Sequence, residues 1–110
     1  MTDWPYLRYK LKERSKGYCE ACSWPVGEEY AAHHRLLRAQ GGEHTMDNLV
    51  ILHHGCHNIA PKSVHQNPEW SYERGLMLRV GSDPATSPLQ LPEGNWVLLG
   101  TEYVHYQKEG

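Results

Sequence analysis

The sequence predicts a small α+β fold assembled around bound metal, and three observations carry that expectation. Residues 31–58, AAHHRLLRAQGGEHTMDNLVILHHGCHN, hold six of the eight histidines in the chain. Imidazole is costly to bury unless hydrogen-bonded, so packing alone does not explain the crowding. All three cysteines lie in two short motifs at knuckle spacing, Cys19-Glu-Ala-Cys22 and His53-His54-Gly55-Cys56. Around these motifs the apolar pattern reads strand, long loop, strand, helix. A length of 110 residues with 39% hydrophobic content, where four Trp and seven Tyr supply the bulk that an absent Phe does not, suits one domain (1–110) with one modest core.

The elements follow in chain order. Residues 6–15, YLRYKLKERS, put Tyr6, Leu7 and Leu11 at helical spacing among basic residues, which predicts a short basic helix. The CxxC follows it and runs into the turn residues Pro25 and Gly27. EEYAAHH (28–34) reads as a strand, RLLRAQGGEHTMD (35–47) as a loop bending at Gly41-Gly42, and NLVIL (48–52) as a buried strand. A helix is expected to start near Gly55 and carry Cys56 and His57, with Pro61 limiting or kinking it. Asn67-Pro68 makes an N-cap and first-turn pair and Gly75 a C-terminal stop, predicting a helix over 68–74. LMLRV (76–80), NWVLLG (95–100) and EYVHY (102–106) are strand candidates, with a Pro-rich loop over 83–92. The core thus spans about 19–66, followed by a helix-and-strand extension over about 67–110, without internal repeats.

The formal net charge of −2 does not mark a nucleic-acid binder, but the distribution is uneven. Arg8, Lys10, Lys12, Arg14 and Lys16 face only Asp3 and Glu13 near the start, whereas Lys108 stands against Asp83, Glu93, Glu102 and Glu109 at the far end. A basic front end suits a face that meets an anion; a solvated charged helix would read the same way. The opening residues lack the apolar run of a secretory signal, and no stretch approaches membrane-spanning length. A cytoplasmic setting is therefore expected, the host cytoplasm if the gene is viral.

In such a setting a CxxC is half of a zinc site or a redox pair. A redox pair belongs at a helix start after a strand, and this one sits between a helix-like segment and a turn. With HxxC downstream, the reading is a Cys₃His zinc site of Cys19, Cys22, His53 and Cys56, using every cysteine. His54 is the alternative fourth ligand.

The same residues resemble the HNH endonucleases of the ββα-metal (His-Me finger) fold, in their zinc-stapled branch. That branch reads CxxC, a strand ending in Asp-His or His-His, a Gly-Gly loop, an Asn-Leu strand and then CxxCH. Here Cys19-x-x-Cys22, His33-His34, Gly41-Gly42, Asn48-Leu49 and His53-x-x-Cys56-His57 occur in that order. VHQNPEWSYERGL (64–76) is similar to a segment that follows this core in actinobacterial and phage members. Two departures stand out. His53 replaces the usual third zinc cysteine. His65 lies eight positions after His57 with Pro61 between, where relatives have a Val-His pair one turn on, so no ligand role is assigned to it.

The resemblance implies a metal-dependent endonuclease, of phage or mobile-element type, hydrolysing phosphodiester bonds in double-stranded DNA by nicking or by cutting both strands. His34 would be the general base, since an imidazole is partly neutral near pH 7 and takes a proton from water. His33 and His57 would hold one divalent cation, Mg²⁺ or Mn²⁺, with Ni²⁺ or Zn²⁺ able to stand in. Adjacent strand residues point to opposite faces, so His33 and His34 can divide these roles only where the strand ends or twists. Asn48 would fix the loop and orient His34. Arg35 and Arg38 would contact phosphates or remain solvated on the loop. His44 reads as a plain loop histidine, and Trp4, Tyr6, Trp70 and Trp96 as core or interface aromatics. The competing reading is a non-catalytic zinc-stapled module on the same fold that binds DNA or a phage packaging protein.

Overall fold

Asp3-Trp4-Pro5 is a helix start, and the computed structural model, which describes residues 2–59 and 63–107, uses it as one. Helix α1 runs Trp4–Ser15, two residues longer at its start than the apolar spacing predicts. Asp3 Oδ1 accepts the backbone N–H of Tyr6 at 3.1 Å, satisfying one orphan donor, and Pro5 occupies the first turn, where its missing N–H costs nothing. The helix stops at Lys16, in the left-handed region at φ 59°. It buries only Leu11, Arg14 and Ser15, so it is anchored near its C-terminal end.

Strands β1 (Tyr30–His34) and β2 (Leu49–His53) pair antiparallel, with Tyr30 opposite His53 and His34 opposite Leu49. Leu49, Val50, Ile51 and Leu52 are fully buried on both faces of β2, as the unbroken apolar run predicts. The core gathers them with Leu11, Val64, Leu76 and the apolar residues of the C-terminal strands. The long β1–β2 loop includes one 3₁₀ turn, Arg38–Gln40.

Beyond β2 the expected helix is a π-helical turn over Gly55–Ile59; Pro61, the predicted kink, lies outside the described residues. The carbonyls of Cys56 and His57 accept instead from Val64 N (2.6 Å) and His65 N (3.2 Å). A regular helix would have needed an N–H from Pro61 for His57, and proline has none. Helix α2 spans Pro68–Arg74, as predicted, and ends at Gly75 with φ 78°. A Cβ at that position would also collide with the Pro88 carbonyl.

The strand expected over 76–80 does not form. Leu76 and Leu78 are buried, but Leu78 N makes a single backbone bond, to Arg35 O at 2.8 Å, and the Leu76 carbonyl is taken by the ring of His33. A short strand instead appears inside the predicted Pro-rich loop: β3 (Leu89–Gln90) pairs with β4 (Trp96–Leu99), which pairs with β5 (Tyr103–His105), all antiparallel. The result is an α+β fold: a helix on a two-stranded hairpin, then a second helix and a three-stranded sheet. No helix among the described residues is long and apolar enough to cross a membrane.

These pieces are joined by a buried ion pair. Arg14 Nε and Nη2 donate to Glu20 Oε2 and Oε1 at 2.9 and 2.8 Å, and neither side chain is more than 1% exposed. Nη2 also donates to Leu49 O, and Nη1 to Met46 O and Gly100 O, which uses all five guanidinium N–H groups. Glu20 accepts from Ile51 N at 2.8 Å and from the Tyr103 hydroxyl at 2.6 Å. Burial and the Glu20 charge push the Tyr103 pKa far up, so that hydroxyl stays a donor. Removing one partner strands the other charge in the core. Arg14→Met or Glu20→Leu alone should therefore lower stability by about 3–5 kcal/mol in urea unfolding. The double variant should lose clearly less than the sum. Additivity of the two losses to within about 0.5 kcal/mol would show that the pair does not act as a unit.

Candidate metal centres and active site

The knuckle is a tight turn after α1. Ser23 N donates to Cys19 O at 3.0 Å, Ser23 sits at φ 70°, and Ala21 N points at Cys19 Sγ from 3.4 Å. The hairpin register brings His53, at the end of β2, to this turn, and the π-helical turn brings Cys56. The ligand atoms of Cys19, Cys22, His53 and Cys56 all lie within 4.8 Å of one another, with Cys22 Sγ 3.0 Å from His53 Nε2. His54 is exposed and outside the group. Three sulfurs and one imidazole at this spacing fit a tetrahedral zinc site. The Cys56 thiol donating to it holds the Cys19 pKa down to about 5. The cost falls on its neighbours: the Cys22 thiol is pushed up by burial, and Cys56 by its bond to Cys19. Arg74 of α2 lies against this group, donating to Ala21 O at 2.7 Å, and the three cysteines oppose the lowering of its pKa by burial.

A second group lies at the other end of the hairpin. His33, His57 and His65 present ligand atoms within 4.8 Å of one another. His33 is 2% exposed, and its Nε2 is 2.8 Å from the Leu76 carbonyl. A carbonyl only accepts, so Nε2 carries the proton and Nδ1 keeps the lone pair a metal would use. Burial is the main reason its pKa falls to about 3, so the ring is neutral, as a ligand must be. His57 Nε2 and His65 Nε2 face each other at 3.1 Å, and burial lowers the His57 pKa. His65, which the sequence spacing leaves without a ligand role, joins the group because Val64 and His65 return along Cys56 and His57 through the two backbone bonds described above. Its signal in the sequence is the Val64-His65 pair itself.

His34, the last residue of β1, meets a different set of partners. Its Nε2 lies 2.8 Å from Nδ1 of His44, and Trp4 packs edge-to-face with both rings, with centroids 6.2 Å from His34 and 4.6 Å from His44. Burial first, then the charges of His44 and Arg38, lower the His34 pKa. Reading His44 as a plain loop residue missed this contact; only its place one residue after Gly42-Glu43 hints at it.

Two expectations need correction. Asn48 makes no hydrogen bond to His34 among the described residues. Its fully buried side chain accepts from Leu36 N (2.7 Å) and donates to Leu36 O and Glu43 O (both 3.0 Å), clamping the loop that carries His44. Gly42 is required there, because a Cβ would strike the Leu36 carbonyl and the Asn48 amide. Arg35 cannot reach a phosphate. It is 0% exposed, and its guanidinium donates to the carbonyls of Gly75, Asp47, Pro84, Ser87 and Pro88. Burial lowers its pKa to about 10, which still leaves it charged near neutrality. Arg38 is exposed and donates to Gly42 O, at 2.9 Å. Of the aromatics, Tyr6 and Trp70 are 54% and 37% exposed rather than core.

No curated protein and no solved structure matches the chain. A family model, HNH endonuclease, matches residues 19–62. That span includes the knuckle, the hairpin with His33, His34 and Asn48, and the turn with His57. Within that span the cysteine–histidine group is compatible with the zinc-stapled variant of the family the model describes.

Proposed function

We propose that this chain is a metal-dependent endonuclease that hydrolyses DNA phosphodiester bonds, with His34 as general base and His33, His57 and His65 as the seat of one divalent cation. The observation that carries the proposal is the convergence of the His33, His57 and His65 imidazoles, with a fourth imidazole, His34, on the residue next to His33 at the end of β1. When bound, such a cation supplies positive charge and Lewis acidity at the phosphate. The chain's own residues do the rest. His33 keeps its lone pair aimed by the Leu76 carbonyl. His34 takes the proton of the attacking water. Arg38 on the loop, and Arg8 and Lys12 on α1, are cations without an ion pair among the described residues, and they suit phosphate contacts. Arg8 and Lys12 both lie over the Tyr30 ring, about one strand length from His34.

The ligand chemistry refines the choice of ion. Three imidazoles without a carboxylate suit Ni²⁺ or Zn²⁺ better than Mn²⁺, and Mn²⁺ better than Mg²⁺. The Cys₃His group would hold a second, structural zinc that contributes to folding. A phage setting and packaging partners belong to this proposal only as the context in which such a small nuclease would work.

The zinc assignment is tested by metal content after exhaustive dialysis. One tightly held zinc is expected, lost in Cys56→Ser together with several kcal/mol of stability, about the scale for removing a structural metal. His53→Cys should retain the zinc, and so should His54→Ala. Loss of zinc in His54→Ala, with retention in His53→Ala, would reassign the fourth ligand.

The catalytic assignment is tested by plasmid nicking at saturating Mn²⁺. His34→Ala should slow cleavage by about a hundredfold or more without releasing DNA. The working form of His34 is the neutral one, and its pKa lies below the ordinary 6.5, so the rate should rise with pH in the acid range and level off before about pH 7. A rate that continues to climb well above neutrality would assign the base elsewhere. Wild-type activity in purified His34→Ala would leave the scaffold reading in its place.

A further inference from the structure

The His34–His44 contact has a chemical consequence, because two imidazole nitrogens that face each other at 2.8 Å are joined by a single proton, carried by one ring or the other. There are two ways to place it. If His44 Nδ1 carries the proton, His34 Nε2 must accept, and the remaining His34 proton sits on Nδ1. That ring has no lone pair free to take a proton from water. If His34 Nε2 carries the proton, His44 Nδ1 accepts, and His34 Nδ1 keeps its lone pair. Only the second arrangement makes His34 a base.

We propose that His44 is a positioning residue that holds His34 as the Nε2–H tautomer and so leaves His34 Nδ1 as the proton acceptor; this deepens the nuclease reading above and rests on it for its catalytic half. The surroundings favour a fixed partner over a mobile loop side chain. Asn48 Nδ2 donates to the carbonyl of Glu43, the residue immediately before His44, and Gly42 lets that clamp close. Trp4 packs edge-to-face with both rings, 4.6 Å from His44 by centroid, and is itself held by the capped start of α1. The proton balance is simple. The attacking water gives its proton to His34 Nδ1, which makes the ring cationic. The existing Nε2–H···Nδ1 bond to His44 then becomes charge-assisted and stabilises that cation. This is the logic of a base oriented by a third group, supplied here by a second imidazole where a carboxylate is common.

The test uses the full chain loaded with Zn²⁺ for spectroscopy and with Mn²⁺ and supercoiled plasmid for rates. In the wild type, imidazole ¹⁵N chemical shifts should show His34 protonated on Nε2 and not on Nδ1. In His44→Ala that preference should be lost, and kcat should fall by about 10- to 100-fold with KM for DNA unchanged. His44→Asn, whose amide oxygen can accept the same N–H, should restore most of the rate and the tautomer. Spectra showing His34 protonated on Nδ1 in the wild type would overturn the proposal. So would a His44→Ala protein with unaltered tautomer and rate. A wild-type chain that cleaves no plasmid while its His34 shows the Nε2–H form would overturn the nuclease reading and the catalytic half of this proposal, and would leave the tautomer assignment established on the spectra.

Discussion

The buried pair of Arg14 and Glu20 is the contact on which the rest of this small structure hangs. One guanidinium ties the end of α1 to the knuckle through Glu20, to β2 through Leu49, to the β1–β2 loop through Met46, and to the β4–β5 turn through Gly100. Apolar burial alone would hold these segments loosely, because α1 contributes only Leu11 as a fully buried aliphatic. A buried ion pair is often no more stable than a hydrophobic replacement. Its value here is geometric, since five donors in a rigid fork accept only one arrangement of carbonyls and carboxylate. Arg35 repeats the device for the C-terminal segments, with five carbonyls and no carboxylate bond.

That framework decides where the two candidate metal groups sit. Glu20 lies between Cys19 and Cys22, so the ion pair that orders the core also orders half of the cysteine–histidine group. β2 then carries His53 to the knuckle at one end and supports His33 and His34 through β1 at the other. His33 and His34 can take different roles because the strand ends there. One ring turns inward to the Leu76 carbonyl and the imidazole group, the other outward to His44 and Trp4. The loops around the candidate site are thus held by side chains bound to backbone, Asn48 on Leu36 and Glu43 and Arg35 on the loop beyond α2, with Gly42 where nothing larger fits.

Features set by local chemistry were legible before the structure. The apolar run of β2, the Asn67-Pro68 start and Gly75 stop of α2, and the two knuckle motifs each depend on a few neighbouring residues. The parts that were not legible depend on where distant backbone goes. Arg35 reads as a loop cation until carbonyls from Asp47, Gly75, Pro84, Ser87 and Pro88 are found around it. His65 looks too far from His57 until Val64 and His65 fold back on Cys56 and His57. Residues 76–80 have the apolar run of a strand, but the carbonyl a ladder would need at Leu76 is spent on His33. The start of α1 at Asp3-Trp4-Pro5 is different: its cap and proline were in plain sight, and apolar spacing was the wrong guide to the boundary.

The central claim is that one hairpin holds two chemically distinct metal sites, and crystallography with anomalous scattering tests it most directly. Crystals grown with Mn²⁺ and a short DNA duplex, measured on either side of the zinc and manganese edges, should show zinc among Cys19, Cys22, His53 and Cys56. They should show manganese among His33, His57 and His65, with a phosphate on the His34 side. A single ion shared by His57 and Cys56, or manganese bound away from His33, would contradict the account.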